Sequence, residues 1–161
     1  SYLFRMSFPE EKLSNKFSER LIRAYLKYPE FSLIAKKDGK IIAFMYAIDN
    51  IAKLSKESKI IDKLTNKYNY FVPAKRKYFD KPFVLVGFVD KAYRGKNIAS
   101  NLLKEVLKQF NNQSSVFCQV YLKNTPSANL IKKFDAKLIE TGGFIKKYGI
   151  YELSTENAKS L

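Results

Sequence analysis

The stretch Ile41-Ile42-Ala43-Phe44-Met45-Tyr46-Ala47-Ile48 is apolar or aromatic at every position, so a strand built from it buries both of its faces. Such a strand lies inside a sheet rather than at an edge, and that sheet needs covering layers on both sides. The dipeptide Asp38-Gly39 just before it supplies the positive φ angles of a tight hairpin turn, pairing Phe31–Lys36 with Lys40–Ile48.

The neighbouring segments alternate between strand and helix signals. Tyr2–Phe8 alternates as a first strand, and Ser7-Phe8-Pro9-Glu10 opens a helix whose apolar positions run from Leu13 to Leu26, ending before Pro29. Asn50 to about Asn69 reads as a Lys-rich amphipathic surface helix. Phe71–Pro82 has two prolines, a basic cluster at Lys75-Arg76-Lys77 and no period, so it reads as a loop, either a lid or a solvated connector. Phe83–Val89 is an apolar strand followed by a turn and a helix carrying Ile98, Leu102, Leu103, Val106, Leu107 and Phe110. Val116–Leu122 is the next strand, Thr125-Pro126 caps a short helix to about Phe134, and Ala136–Thr141 pairs with Phe144–Leu153 across Gly142-Gly143. The order predicts an α/β (α+β) fold with a mixed sheet flanked by helices on both faces, one domain over residues 1–153 and a fraying tail over 154–161.

Composition narrows the chemistry. The chain of 161 residues has no histidine, which removes Ser-His-Asp and Cys-His nucleophile systems and every His-based zinc site. Proton transfer falls to carboxylates, Lys, Tyr, backbone groups or water. The single cysteine, Cys118, has no internal disulfide partner and reads as a buried, inert thiol. No apolar run reaches the roughly 18–20 residues of a membrane span, and the first residues lack the order of a signal peptide, so the expected location is cytoplasmic. Thirty Lys and Arg against fifteen Asp and Glu give +15, a field that attracts anions. Most of that charge is scattered lysine, and without a recognisable binding motif it argues against nucleic acid as the partner.

The chemistry concentrates at Tyr93-Arg94-Gly95-Lys96-Asn97-Ile98-Ala99. A basic, Gly-containing turn between a strand end and a helix start leaves main-chain N–H groups unpaired at the positive end of the helix dipole, which is a cradle for phosphate. Arg94 and Lys96 add charge, Gly95 permits close approach, Asn97 tolerates a left-handed conformation, and Ala99 keeps the start of the helix small.

Here the chain resembles the GNAT superfamily of acyl-CoA-dependent N-acyltransferases, whose members carry a Gln/Arg-x-x-Gly-x-Gly/Ala turn after a strand. The corresponding stretch is Val89-Asp90-Lys91-Ala92-Tyr93-Arg94-Gly95-Lys96-Asn97-Ile98-Ala99, and a second signature resembles Asn124-Thr125-Pro126-Ser127-Ala128 through Phe134-Asp135-Ala136. The resemblance implies a mostly antiparallel twisted sheet of about seven strands, with a helical insertion between strands 3 and 4. It implies acetyl-CoA or coenzyme A as donor, no metal, and an amine-bearing acceptor. Arg94, Gly95, Lys96, Asn97, Ile98, Ala99 and Ser100 would hold the pyrophosphate, pantetheine would run along Phe88 and Val89 in a gap between two strands, and Asn124 would line the pocket. The alternative for Asn124 is a helix cap.

Two departures qualify what the resemblance implies. Asn97 replaces the middle glycine of the turn, and Ile131 stands where many members place a tyrosine as general acid. Thioester aminolysis can proceed without that acid, because a thiolate leaves unprotonated; the tasks left are to deprotonate the ammonium, polarise the carbonyl and align the reactants. The Val89 amide is the expected carbonyl contact by resemblance, and the base is unassigned, with Asp49, Asp80, Asp90, Tyr121 and Tyr148 as candidates. A catalytically silent acyl-CoA sensor and a transferase fed by an acidic acyl carrier protein stand as the alternative readings.

Overall fold

The structure, a computed structural model, describes residues 22–23, 25–57, 76–78, 80–142 and 147–156. The expected strand Tyr2–Phe8 lies outside the described residues, as do most of the first helix, the later part of the 50–69 helix and residues 71–75. Six strands are described, β1 (Leu33–Lys37), β2 (Lys40–Ile48), β3 (Phe83–Val89), β4 (Ser115–Tyr121), β5 (Lys137–Gly142) and β6 (Tyr148–Ser154). The helices are α1 (Ala52–Glu57), α2 (Ile98–Gln109) and α3 (Thr125–Lys132). They form a mixed, mostly antiparallel sheet in the order β1-β2-β3-β4-β6-β5, in which β3 and β4 are the parallel neighbours. Among the described residues no helix is long and apolar enough to cross a membrane.

The β1–β2 hairpin turns where the sequence places it, with Asp38 at φ 49° and Gly39 at φ 74°. β1 begins at Leu33 rather than Phe31 because the Phe31 ring stacks on Phe110, their centroids 4.3 Å apart, and so anchors the preceding loop instead of extending the ladder. β2 lies between β1 and β3, and its alternation divides the interior in two. Ala43, Met45 and Ala47 meet Leu102, Leu103, Val106 and Leu107 of α2 together with Ile131 of α3. Tyr46 and Ile48 face a second cluster holding Tyr25, Leu54 of α1, Tyr78, Phe83 and Ile150. Each fully buried aliphatic or aromatic side chain contributes roughly 1.5–3 kcal/mol, so α2 is held chiefly by its Leu and Val stripe.

The 71–82 segment is not wholly a solvated connector. Arg76–Tyr78 form a 3-10 turn, and the Tyr78 ring packs edge-on against Phe83 at 5.8 Å and against Phe117 at 5.7 Å. The Tyr78 hydroxyl donates to Glu140 Oε2 at 3.1 Å, and Lys77 pairs with the same carboxylate. Among the described residues of this segment Tyr78 is buried, and one buried ring gives no period for the sequence to display. Ser154, where the expected tail starts, closes β6, and Thr155 is buried with its hydroxyl on the Gln113 carbonyl at 2.6 Å; residues 157–161 lie outside the described residues.

Cys118 of β4 is buried, as expected, and burial pushes its thiol up to about 12. Thiol reagents at pH 8 are therefore expected to label Cys118 at the rate of unfolding, and prompt labelling of the native protein would contradict the burial. Burial also raises the Tyr25 and Tyr46 phenols. Above about pH 9 the unfolded chain loses protons that the folded one keeps, so stability should fall as pH rises from 9 towards 12, as read by urea midpoints across that range.

Candidate functional site

The turn after β3 is built from local rules. Asp90 accepts the Ala92 amide on its carboxylate at 3.0 Å and starts a 3-10 turn over Lys91–Tyr93. Its own N–H donates to the Ile42 carbonyl at 2.8 Å, stitching the turn to β2. Gly95 (φ 77°) and Asn97 (φ 57°) then take left-handed conformations, the second as the sequence anticipates for a residue replacing glycine. The helix begins with the Asn101 N–H on the Asn97 carbonyl at 2.9 Å, and Asn97 makes no side-chain cap. Among the described residues the N–H groups of Gly95, Lys96, Asn97, Ile98, Ala99 and Ser100 thus have no hydrogen-bond acceptor. Left-handed residues and a free helix start together place main-chain donors at the positive end of a 12-residue helix, an arrangement suited to an anion.

Arg94 does more than add charge to that turn. Its Nε donates to the Val89 carbonyl at 3.0 Å, and its guanidinium lies over the Phe88 ring at 5.9 Å. One of its five N–H donors is thereby tied to the strand end, leaving the others for an anion. Lys96 and, from the β1–β2 hairpin, Lys37 both reach over the Tyr93 ring, at 5.4 and 5.6 Å.

Beside the turn the sheet opens. β3 and β4 pair only at Phe83↔Phe117 and Val84↔Cys118, whereas β4 and β6 pair along the whole of β4. The separation starts where β3 carries an extra residue, Leu85, between the pairs Ala47↔Val84 and Tyr46↔Val86. A bulge bends its strand and increases its twist, which turns the rest of β3 away from β4. The orientation of the freed main chain follows from its neighbours. Asp90 donates towards β2, so by alternation the peptide groups of Val89 and Gly87 point the other way, into the opening. On the β4 side, Phe117 donates to the Pro82 carbonyl at 2.9 Å, at the closed end of the opening. The Phe88 main chain pairs with Phe44 of β2, and its ring stacks on Phe44 at 5.9 Å.

The other candidates are dispersed. Asn124 is the N-cap of α3, its side-chain oxygen accepting the Ser127 amide at 3.2 Å. Ile131 is buried in the α2 cluster. Asp49 sits beyond Ile48, which pairs with Phe83 at the far end of β3 from Val89, and its carboxylate holds Lys53 at 2.7 Å. Asp80 precedes that same end of β3, and Asp90 is spent on its cap. Tyr148 is buried, and burial followed by the nearby Tyr78 raises its phenol. Tyr121 packs beside the second cluster. Among the described residues no group of three or more Cys, Asp or Glu is placed to hold a metal ion. The sequence reading missed Lys37 and the Leu85 bulge. Lys37 lies more than fifty residues before the turn, and nothing in an apolar run such as Phe83–Val89 marks which residue is extra.

The acetyltransferase (GNAT) family pattern matches residues 2–136, most of the sequence. The chain belongs to the GNAT acetyltransferase family. Its fold is that of N-acetyltransferases of known structure. The enzyme from Staphylococcus aureus Mu50 superposes with a TM-score of 0.70 at 16% identity, over 94% of this chain and 92% of that one. The Drosophila melanogaster polyamine N-acetyltransferase gives 0.69 at 16% identity over 95% and 91%. Arabidopsis thaliana Naa50, in complex with the bisubstrate analogue CoA-Ac-MVNAL, gives 0.59 at 16% over 94% and 87%. No curated protein matches the sequence significantly. Membership in the GNAT family agrees with the fold class and the mostly antiparallel sheet expected from the sequence.

Proposed function

We infer that the protein is an N-acyltransferase that moves an acetyl or other acyl group from coenzyme A to a primary amine. The observation that carries this reading is the parting of β3 from β4 beside a turn whose amides from Gly95 to Ser100 lack acceptors. The two features fit the two parts of CoA. A pyrophosphate matches main-chain donors at a helix start. Pantetheine carries two amides, so it can lie along β3 as a surrogate strand and pair with the main chain of Gly87 and Val89. Gly87 itself is kept small by its neighbour strand, since a Cβ there would sit 3.1 Å from Met45 Cε. CoA supplies the thioester; the Val89 N–H is the donor in this chain best oriented to polarise its carbonyl.

Among the described residues no side chain stands out as the proton acceptor. The carboxylates of Asp49 and Asp90 are held by Lys53 and the Ala92 amide, and Ile131 is packed in the core. These observations favour a second reading, an acyl-CoA sensor without turnover. Titration calorimetry with acetyl-CoA, followed by thiol-release assays over a panel of primary amines, separates the readings. The transferase reading requires saturable binding and amine-dependent release of CoA thiol. Binding without release supports the sensor, and no binding refutes both. The burial of Cys118 keeps the protein's own thiol out of that assay. A carrier-protein donor is tested by the same assay with acyl carrier protein at two salt concentrations.

A further inference from the structure

The contacts of Arg94 leave a question about charge at the mouth of the cradle. Its Nε is committed to Val89 and its plane to Phe88, both on the strand side. Two further cations, Lys96 of the turn and Lys37 of β1, come from different parts of the chain and lie over one ring, Tyr93. The hairpin is fixed beside the turn by the Asp90 N–H to the Ile42 carbonyl at 2.8 Å and by the pair Ala43↔Val89. Lys37 is therefore delivered by the sheet rather than by a loose loop. Lys36, Lys40, Lys91 and Arg94 add positive charge to the same region, against Asp38 at the hairpin turn and Asp90, whose carboxylate is already hydrogen-bonded. Two ammonium groups brought within 5.4 and 5.6 Å of one ring centroid repel each other, and a bound anion offsets that repulsion.

We propose that Lys37 and Lys96, on the Tyr93 ring, form a phosphomonoester site adjoining the amide cradle, and that it selects donors bearing the 3′-phosphate of coenzyme A. A monoester carries between one and two negative charges at pH 7 and gains from two point-charge donors, whereas each pyrophosphate oxygen is already served by main-chain N–H groups. The site rests on the cofactor reading above and adds to it a discrimination between CoA and dephospho-CoA. Lys37 is a specificity residue with no part in the transfer step.

Calorimetry at low ionic strength with CoA and with dephospho-CoA tests this. The wild-type protein should bind CoA roughly tenfold more tightly, the scale of one charge-assisted contact at an exposed site. Lys37→Gln should bring CoA to within about twofold of dephospho-CoA and leave dephospho-CoA unchanged. Lys108→Gln, on the exposed end of α2, should change neither. Equal affinities in the wild type, or a Lys37→Gln variant that weakens both ligands alike, overturn the site while sparing the cofactor reading. Failure of the wild type to bind either ligand overturns both.

Discussion

Arg94→Glu is expected to weaken CoA binding at least a hundredfold while leaving the far-ultraviolet circular dichroism and the thermal midpoint close to wild type. Arg94 is exposed, so its replacement removes little packing, but the reversal places a carboxylate beside amides that are to receive a pyrophosphate. It also releases the Val89 carbonyl from its 3.0 Å contact, freeing the peptide that borders the opening. Arg94→Lys separates the two effects, restoring charge without the planar guanidinium that lies over Phe88. Titration calorimetry is the measurement. Parental affinity in the Glu variant would mean that the turn does not hold the phosphates.

The largest loss of stability is expected for Phe83→Ala, about 3–5 kcal/mol in urea denaturation. Phe83 is fully buried, pairs with Ile48 on one side and Phe117 on the other, and packs against the rings of Tyr78 and Phe117. Truncation leaves a cavity that neighbouring strands cannot collapse into, because β3 is fixed to β2 along its length. Leu122→Ala, at a side chain left 43% exposed, should cost less than about 1 kcal/mol and serves as the control. A Phe83→Ala loss below that of the control would show that the aromatic packing is not what joins the sheet.

Much of this architecture could be read from the residues. The run Ile41–Ile48 places an interior strand, Asp38-Gly39 places its hairpin, and the Leu and Val spacing after Ile98 places α2 on the sheet, because each is a local pattern of burial or backbone conformation. The turn at Arg94–Ala99 was legible for the same reason: helix starts and left-handed residues are properties of adjacent positions. Contacts made by chain segments far apart were not legible. Lys37 reaches Tyr93, Tyr78 reaches Glu140, and the Leu85 bulge is defined only by what β2 places opposite it. The inward hold of Arg94 on Val89 was hidden by a motif that gives its charge and not its direction.

The two-pair seam between β3 and β4 makes the sheet a hinge-like pair of leaves rather than one continuous ladder. What sets the aperture between the leaves is the extra residue Leu85, where β3 turns from β4 just beyond the last paired position, Val84↔Cys118. A change that straightens β3 at Leu85 is therefore expected to draw the leaves together without altering any residue of the Arg94–Ala99 turn.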